Sequence, residues 1–339
     1  MTNSTSPINR QERRFQKLAF LTILTVYLLI LAGGIVRSTG SGMGCPDWPT
    51  CFGRWVPPTE ISQLPTDYRE IYGSKLKGEI EFNAVKTWIE YVNRLLGVLS
   101  GFFVFGTLLA STTYLRKDRT VFWGSFTAFV LIGLNGWLGS KVVATELAQY
   151  MITLHMLLAI AVVFALIFAL VRSRGSRLQS GIEVEKTATL RWLLVFIMVI
   201  TIIQIVLGTQ VRSTLDDVVK RLGYEQRNNW IANLQGSFYV HRSFSLIILA
   251  FHGVVIYQLR KLRNSEWLTG LANGLIAIVA IEIGVGVIMA YLAVPAITQP
   301  IHLLLAILLI GGQFAGWLVL NPALIVPRTT STKSRLVEI

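Results

Sequence analysis

Three histidines and one asparagine sit in apolar surroundings in a repeated pattern. Tyr91-Val92-Asn93-Arg94 recurs as Tyr239-Val240-His241-Arg242, 148 residues later, and Leu154-His155-Met156-Leu157-Leu158-Ala159 recurs as Ile301-His302-Leu303-Leu304-Leu305-Ala306, 147 residues later. Two independent matches at nearly one offset point to a duplicated unit. A histidine pair on two neighbouring membrane helices suits axial ligation of a haem iron. One copy, His241 with His302, has both imidazoles. The other keeps His155 but has Asn93 at the matching place, and it has gained Glu90 where the second copy has Phe238 or Tyr239. A haem held by two imidazoles suits electron transfer, whereas one with an open position beside a carboxylate suits chemistry. The complete half is expected to deliver electrons and the incomplete half to react.

The neighbours of these positions have roles to offer. Glu90 precedes Asn93 by three residues, so both lie on one side of a helix. It reads as a proton donor, base or polar contact, with a carboxylate snorkelling at the interface as the alternative. Arg94 and Arg242 directly follow the ligand positions, while Arg37 and Arg212 close the first helix of each half. Guanidinium groups bind carboxylates with paired donors, which suits haem propionates; interfacial snorkelling is the alternative. Glu282, opposite Asn135 in the repeat, reads as a neutral, hydrogen-bonded acid rather than a proton carrier. His252 has no histidine counterpart in the other half and reads as a packed side chain.

These residues need membrane helices to position them. Only 14% of the 339 residues are charged, against about a quarter in soluble chains, and the mean hydropathy is +0.57. Apolar runs of membrane-spanning length occur at about 18–36, 88–113, 121–140, 150–171, 191–211, 238–259, 269–292 and 300–320. The first is read as a retained span rather than a signal peptide, because no small-residue cleavage pattern follows it. The net charge of +13 reports topology, not nucleic-acid binding. Basic residues precede span one, lie between spans two and three, four and five, and six and seven, and follow span eight. The opposite short loops, 141–149 and 293–299, hold only Lys141. This is the positive-inside pattern, with both termini cytoplasmic and contact with membrane lipid expected.

The expected fold is all-α: a polytopic membrane protein of eight transmembrane helices in two pseudo-symmetric four-helix bundles. The division falls in the cytoplasmic stretch 172–189, giving an N-terminal half over 1–179 and a C-terminal half over 180–339. Val36-Arg37-Ser38-Thr39 and Val211-Arg212-Ser213-Thr214 end spans one and five at an offset of 175, so the outer loop 37–87 is the longer by 27 or 28 residues. Its end, Lys77 to Trp88, has the pattern of an amphipathic surface helix. Cys45 and Cys51 both lie in this loop, where a disulfide is permitted and two free thiols are the alternative. A zinc site there lacks histidines in the outer loops to complete it.

The run from Val36 to Cys51, with its Gly44-Cys45-Pro46-Asp47-Trp48-Pro49 segment, together with Glu90-Tyr91-Val92-Asn93-Arg94, His155, His241-Arg242 and His302, resembles the haem A synthase family over residues 17 to 320. The resemblance implies an enzyme of the inner membrane that oxidises the C8 methyl group of haem O to a formyl group, through a geminal diol that loses water. It implies a haem b ligated by His241 and His302, and a substrate haem at His155 and Asn93 with Glu90 as the catalytic acid. It also implies a disulfide between Cys45 and Cys51. Arg37 and Arg94 then belong to the substrate haem, and Arg212 and Arg242 are propionate candidates. Partners would be haem O, an electron donor, and a haem O synthase, oxidase assembly factors or a second copy of the chain. Two departures stand out: Asn93 replaces the family's histidine, and the second half lacks a cysteine pair that some members carry. The competing readings are a di-haem b-type electron-transfer cytochrome, which calls for two complete histidine pairs, and a haem transporter. A prenyltransferase lacks its Asp-rich motifs.

Overall fold

The computed structural model describes residues 9–73, 82–179, 182, 187–234, 236–262 and 265–326. Among them are eight helices long and apolar enough to cross a membrane: α1 (Arg10–Ser38), α2 (Ala84–Ser111), α3 (Arg119–Ala144), α4 (Gln149–Ser173), α5 (Ala188–Leu222), α6 (Gly236–Lys261), α7 (Glu266–Tyr291) and α8 (Thr298–Val319). All eight expected spans are present, and the chain is a multi-pass membrane protein. Several begin at side-chain caps that satisfy otherwise orphaned amides. Asn9 accepts from Gln11, Asn83 from Lys86, Asp118 from Thr120 and Ser265 from Leu268.

α5 overruns its expected end. The sequence places that end at Val211-Arg212-Ser213-Thr214, but the helix continues to Leu222, where Gly223 turns the chain at φ 72°. The cause is an amphipathic extension. Leu215 and Val218 are buried with Trp230, Leu234 and Val294, and Val211, Val219 and Leu222 pack against them. The spacing of these residues is that of one helical face. Of the surface helix expected over Lys77–Trp88, residues 77–81 lie outside the described residues, and ordered helix begins at Ala84. The basic residues Lys186, Arg263, Arg328, Lys333 and Arg335 also lie outside them.

α1 to α4 pack on one another in the order α1–α2–α3–α4–α1, and α5 to α8 do the same; α8 also packs on α1 and α4. Lipid tails are as apolar as leucine, so such helices associate by close fit rather than by escape from water. Gly34 on α1 lets Pro300 of α8 approach so closely that a Cβ there would lie 2.8 Å from the proline Cβ. Buried polar pairs add specificity. Thr22 and Thr107 join α1 to α2 at 2.7 Å, and Arg172 pairs with Asp118 at 2.6 Å where α4 meets the start of α3.

The solid core occupies the end of the molecule near the chain termini. Phe15, Leu166, Leu194, Ile197, Leu268 and Ile310 are fully buried there. The other end, beneath residues 39–55 of the outer loop, encloses a cavity of about 2270 Å³ that extends through both halves. The fold therefore leaves its space at the level of the histidines.

Candidate functional site

Asn93, His155, His241 and His302 all line this cavity, as do Glu90 and Glu282. His155, His302 and His241 lie in the second turns of α4, α8 and α6. The His241 and His302 rings face one another with centroids 6.3 Å apart and planes at 71°. The Nδ1 atoms of His155, His241 and His302 and the Oδ1 of Asn93 are buried without hydrogen-bond partners. Buried polar atoms normally have partners, so four such orphans around one cavity mark a site rather than ordinary packing.

A glycine backs each of the four side chains. A Cβ on Gly139 would lie 3.3 Å from His155 Cε1, one on Gly208 3.3 Å from His241 Cε1, one on Gly286 3.7 Å from His302 Cε1, and one on Gly33 3.9 Å from Asn93 Oδ1. These glycines obey the repeat as well: 139 and 286 differ by 147, and 33 and 208 by 175. The duplicated unit thus includes the side chain at the site and the space behind it.

The loop is fastened to the N-terminal half by a buried lock. Glu90 is 4% exposed. Its Oε2 accepts from the Cys45 amide at 2.7 Å, and its Oε1 accepts from Arg94 Nη2 at 2.5 Å and Nε at 3.2 Å. Arg94 donates further to the carbonyls of Asp47 at 2.7 Å, Thr50 at 2.9 Å and Cys45 at 3.0 Å. Those five contacts match the five N–H donors of a guanidinium. Arg94 lines the cavity with its charge committed to Glu90 and its fork to the loop. Cys45 and Cys51 form a disulfide and are fully buried. Asp47 accepts from the amides of Phe52 and Gly53 and from the Thr50 hydroxyl, closing the same ring. Gly44 is required here, because a Cβ would lie 2.5 Å from the Lys86 carbonyl oxygen.

The remaining arginines divide. Arg37 and Arg212 meet between the halves, sharing Asp216 at 3.0 and 2.7 Å. Each also reaches a glutamine at the start of its half's fourth helix: Arg37 donates to Gln149 and Arg212 to Gln299. Arg212 Nε remains buried and unpartnered. Arg242 lies over the rings of Phe238 and Tyr239, at 5.9 and 5.6 Å, and lines the cavity. In the C-terminal half Glu282 Oε1 lies 3.2 Å from His302 Nδ1, without hydrogen-bond alignment. His252 is satisfied by the Ile248 carbonyl and Gln313, both at 2.8 Å, as expected of a packed histidine. Sequence reasoning missed Asp216, the two glutamines and the backing glycines. Only the glycines left a signal, in their repeat offsets.

A helical membrane protein with two histidine-bearing sites in one shared cavity belongs to a narrow class. Residues 16–313 match the COX15-CtaA family, whose description is cytochrome oxidase assembly protein. The chain is also similar to proteins named heme A synthase. That of Bartonella tribocorum is 23% identical over 93% of this chain and 95% of its own length. That of Shewanella oneidensis is 26% identical over 68% and 69%, and that of Bartonella bacilliformis 29% identical over 50% and 51%. In the last case the match spans about half the length of the relative. The chain belongs to the COX15-CtaA family of cytochrome oxidase assembly proteins.

Proposed function

We propose that this protein oxidises the C8 methyl group of haem O to a formyl group, yielding haem A. The N-terminal half, 1–179, takes the substrate and the C-terminal half, 180–339, holds a resident haem b. The membrane is the cell's inner membrane, with both termini cytoplasmic and the cysteine loop outside. The observation that carries this reading is the asymmetry of one cavity: two imidazoles face each other in one half, while one imidazole and one amide occupy the matching places in the other.

The C-terminal pair fits a haem iron. Two in-line metal–imidazole bonds of about 2 Å would place the nitrogens about 4 Å apart and the ring centres about 6 Å apart, in line with the observed 6.3 Å. Gly208 and Gly286 let the two rings sit close against the neighbouring helices, leaving the space between the imidazoles for a flat group. When bound, that haem supplies one-electron transfer. Glu282 Oε1, 3.2 Å from His302 Nδ1, is the group placed to take the ring N–H once the imidazole binds iron.

In the N-terminal half His155 holds the iron of the substrate haem, and Asn93, an amide and a poor iron ligand, leaves the opposite face free for a small molecule. Glu90 lines the same cavity with its carboxylate fixed by Arg94 and the Cys45 amide. A carboxylate held in place in this way serves as proton acceptor while the methyl group is oxidised. Arg212, through its unpartnered Nε, and Arg37 and Arg242 are the cations available for haem propionates.

Separate variants test the division of labour. His241→Ala with His302→Ala should abolish the low-spin bis-imidazole spectrum while haem O is still retained. His155→Ala should have the reverse effect. Loss of haem O from the first variant and of the low-spin spectrum from the second would exchange the roles of the halves.

A further inference from the structure

A second, smaller cleft of about 590 Å³ lies between α2 and α3. It is apolar, and it adjoins the main cavity: Gly97, Val98, Ile132 and Gly133 line both. From there it runs along α2 as far as Phe105, about 12 Å of helix rise from Gly97, and Phe105 meets Phe129 with ring centroids 5.6 Å apart. Its direction is away from the loop, towards the middle of the membrane.

Three glycines line the cleft, Gly97, Gly101 and Gly133, and a fourth, Gly136, lines the main cavity beside it. Nothing lies within 4 Å of a Cβ built on Gly97, Gly101, Gly133 or Gly136. The repeat offsets match them to Ser245, Leu249, Ala280 and Ile283 in the other half. Glycine at these four positions is therefore peculiar to the half proposed to hold substrate, and the bulk differs most at Gly101 and Gly136, where the other half has Leu249 and Ile283. Beside them on α3 stands Asn135, 6% exposed, lining the main cavity with its Oδ1 buried and unpartnered. Its repeat counterpart is Glu282. An orphan acceptor buried in an apolar helical bundle costs free energy unless a ligand completes it.

Haem O differs from haem b by a long farnesyl tail, joined to the ring through a carbon that bears a hydroxyl. Tail and propionates project from roughly opposite sides of the macrocycle. We propose that the α2–α3 cleft seats the farnesyl tail of haem O and that Asn135 accepts a hydrogen bond from the hydroxyl at its root. This rests on the assignment of the N-terminal half as the substrate site. With the propionates towards the arginines at the loop end, the tail points down the cleft. Lipid is as apolar as the cleft, so what the cleft contributes is fit rather than escape from water. It fixes the rotation of the ring about its own normal, and so decides which methyl group meets Glu90. The resident haem has no tail, and the matching residues of its half are larger.

The test fills the cleft with the other half's residues. The G97S/G101L/G133A variant is produced with a haem O source, and the haems retained by the purified protein are extracted and quantified. The expected result is at least a tenfold fall in haem O and its oxidised products relative to haem b, with the low-spin spectrum intact. Asn135→Leu should lower the same ratio severalfold. Unchanged ratios in both would overturn the proposal, as would retention of haem O at the normal level with only its oxidation lost. Should the triple variant fail to fold, Gly101→Leu alone carries the test, since its side chain enters open space. A control in the His241→Ala/His302→Ala background separates the two levels of inference. If haem O is not retained there, the substrate-site assignment fails and the cleft with it. If it is retained and cleft filling does not diminish it, the cleft proposal alone fails.

Discussion

Replacing Arg94 with lysine keeps the charge and removes the fork. A single ammonium can still pair with Glu90, but it cannot also reach the carbonyls of Cys45, Asp47 and Thr50, which now accept at 3.0, 2.7 and 2.9 Å. Hydrogen bonds from a charged donor contribute about 1.5–3 kcal/mol each. Water will replace part of that at a loop surface, so a net loss of roughly 2–4 kcal/mol is expected. That corresponds to a rise of about 30- to 1000-fold in the population of the unlatched loop, taking tenfold per 1.4 kcal/mol. Cys45 and Cys51 are fully buried, so a membrane-impermeant reductant reaches their disulfide only when the loop opens. The rate of reduction in intact protein therefore reads the opening directly. It should rise by at least about 30-fold in Arg94→Lys, while the bis-imidazole spectrum of the C-terminal half stays as it was. An unchanged reduction rate would refute the assignment of Arg94 as the fastener of the loop.

Glu90→Gln preserves shape but removes the ion pair and the proton acceptor. It should retain haem O and accumulate it unreacted or partly oxidised, and normal haem A yield would remove Glu90 from the chemistry. Asn93→His should complete a second imidazole pair and convert the N-terminal haem from a carbon monoxide-binding form to a low-spin, inert one; persistence of carbon monoxide binding would show that position 93 does not face the iron. Gly208→Ala brings a methyl group to about 3.3 Å from His241 Cε1, and overpacking of that kind costs about 1–3 kcal/mol. Haem b affinity should fall roughly ten- to a hundredfold, whereas Gly139→Ala should spare haem b and weaken substrate binding through His155. Equal effects of both glycine variants on the haem b spectrum would contradict separate cradles.

The helices were legible because hydropathy and length decide membrane spans with little help from tertiary contacts. The candidate ligands were legible because duplication placed them in register. What stayed hidden depended on contacts between distant segments. Arg94 was legible as the residue after a ligand position, but its partners were not, being loop carbonyls more than forty residues away in sequence. Arg37 and Arg212 were recognisable as a repeat pair, but Asp216, which joins them, has no acidic counterpart in the first half to announce it. The end of α5 was misjudged because its extension is polar on one side. Hydropathy averaged over both faces falls there, although Leu215 and Val218 remain buried.

The central claim is that one half of this cavity holds haem O while it becomes haem A. Mass analysis of the haems extracted from the purified protein, after production together with a source of haem O, tests it most directly. The expected result is haem b together with haem O and its formyl product, the last depleted in Glu90→Gln. Haem b alone, in the wild-type protein with haem O abundant in the same membranes, would contradict it.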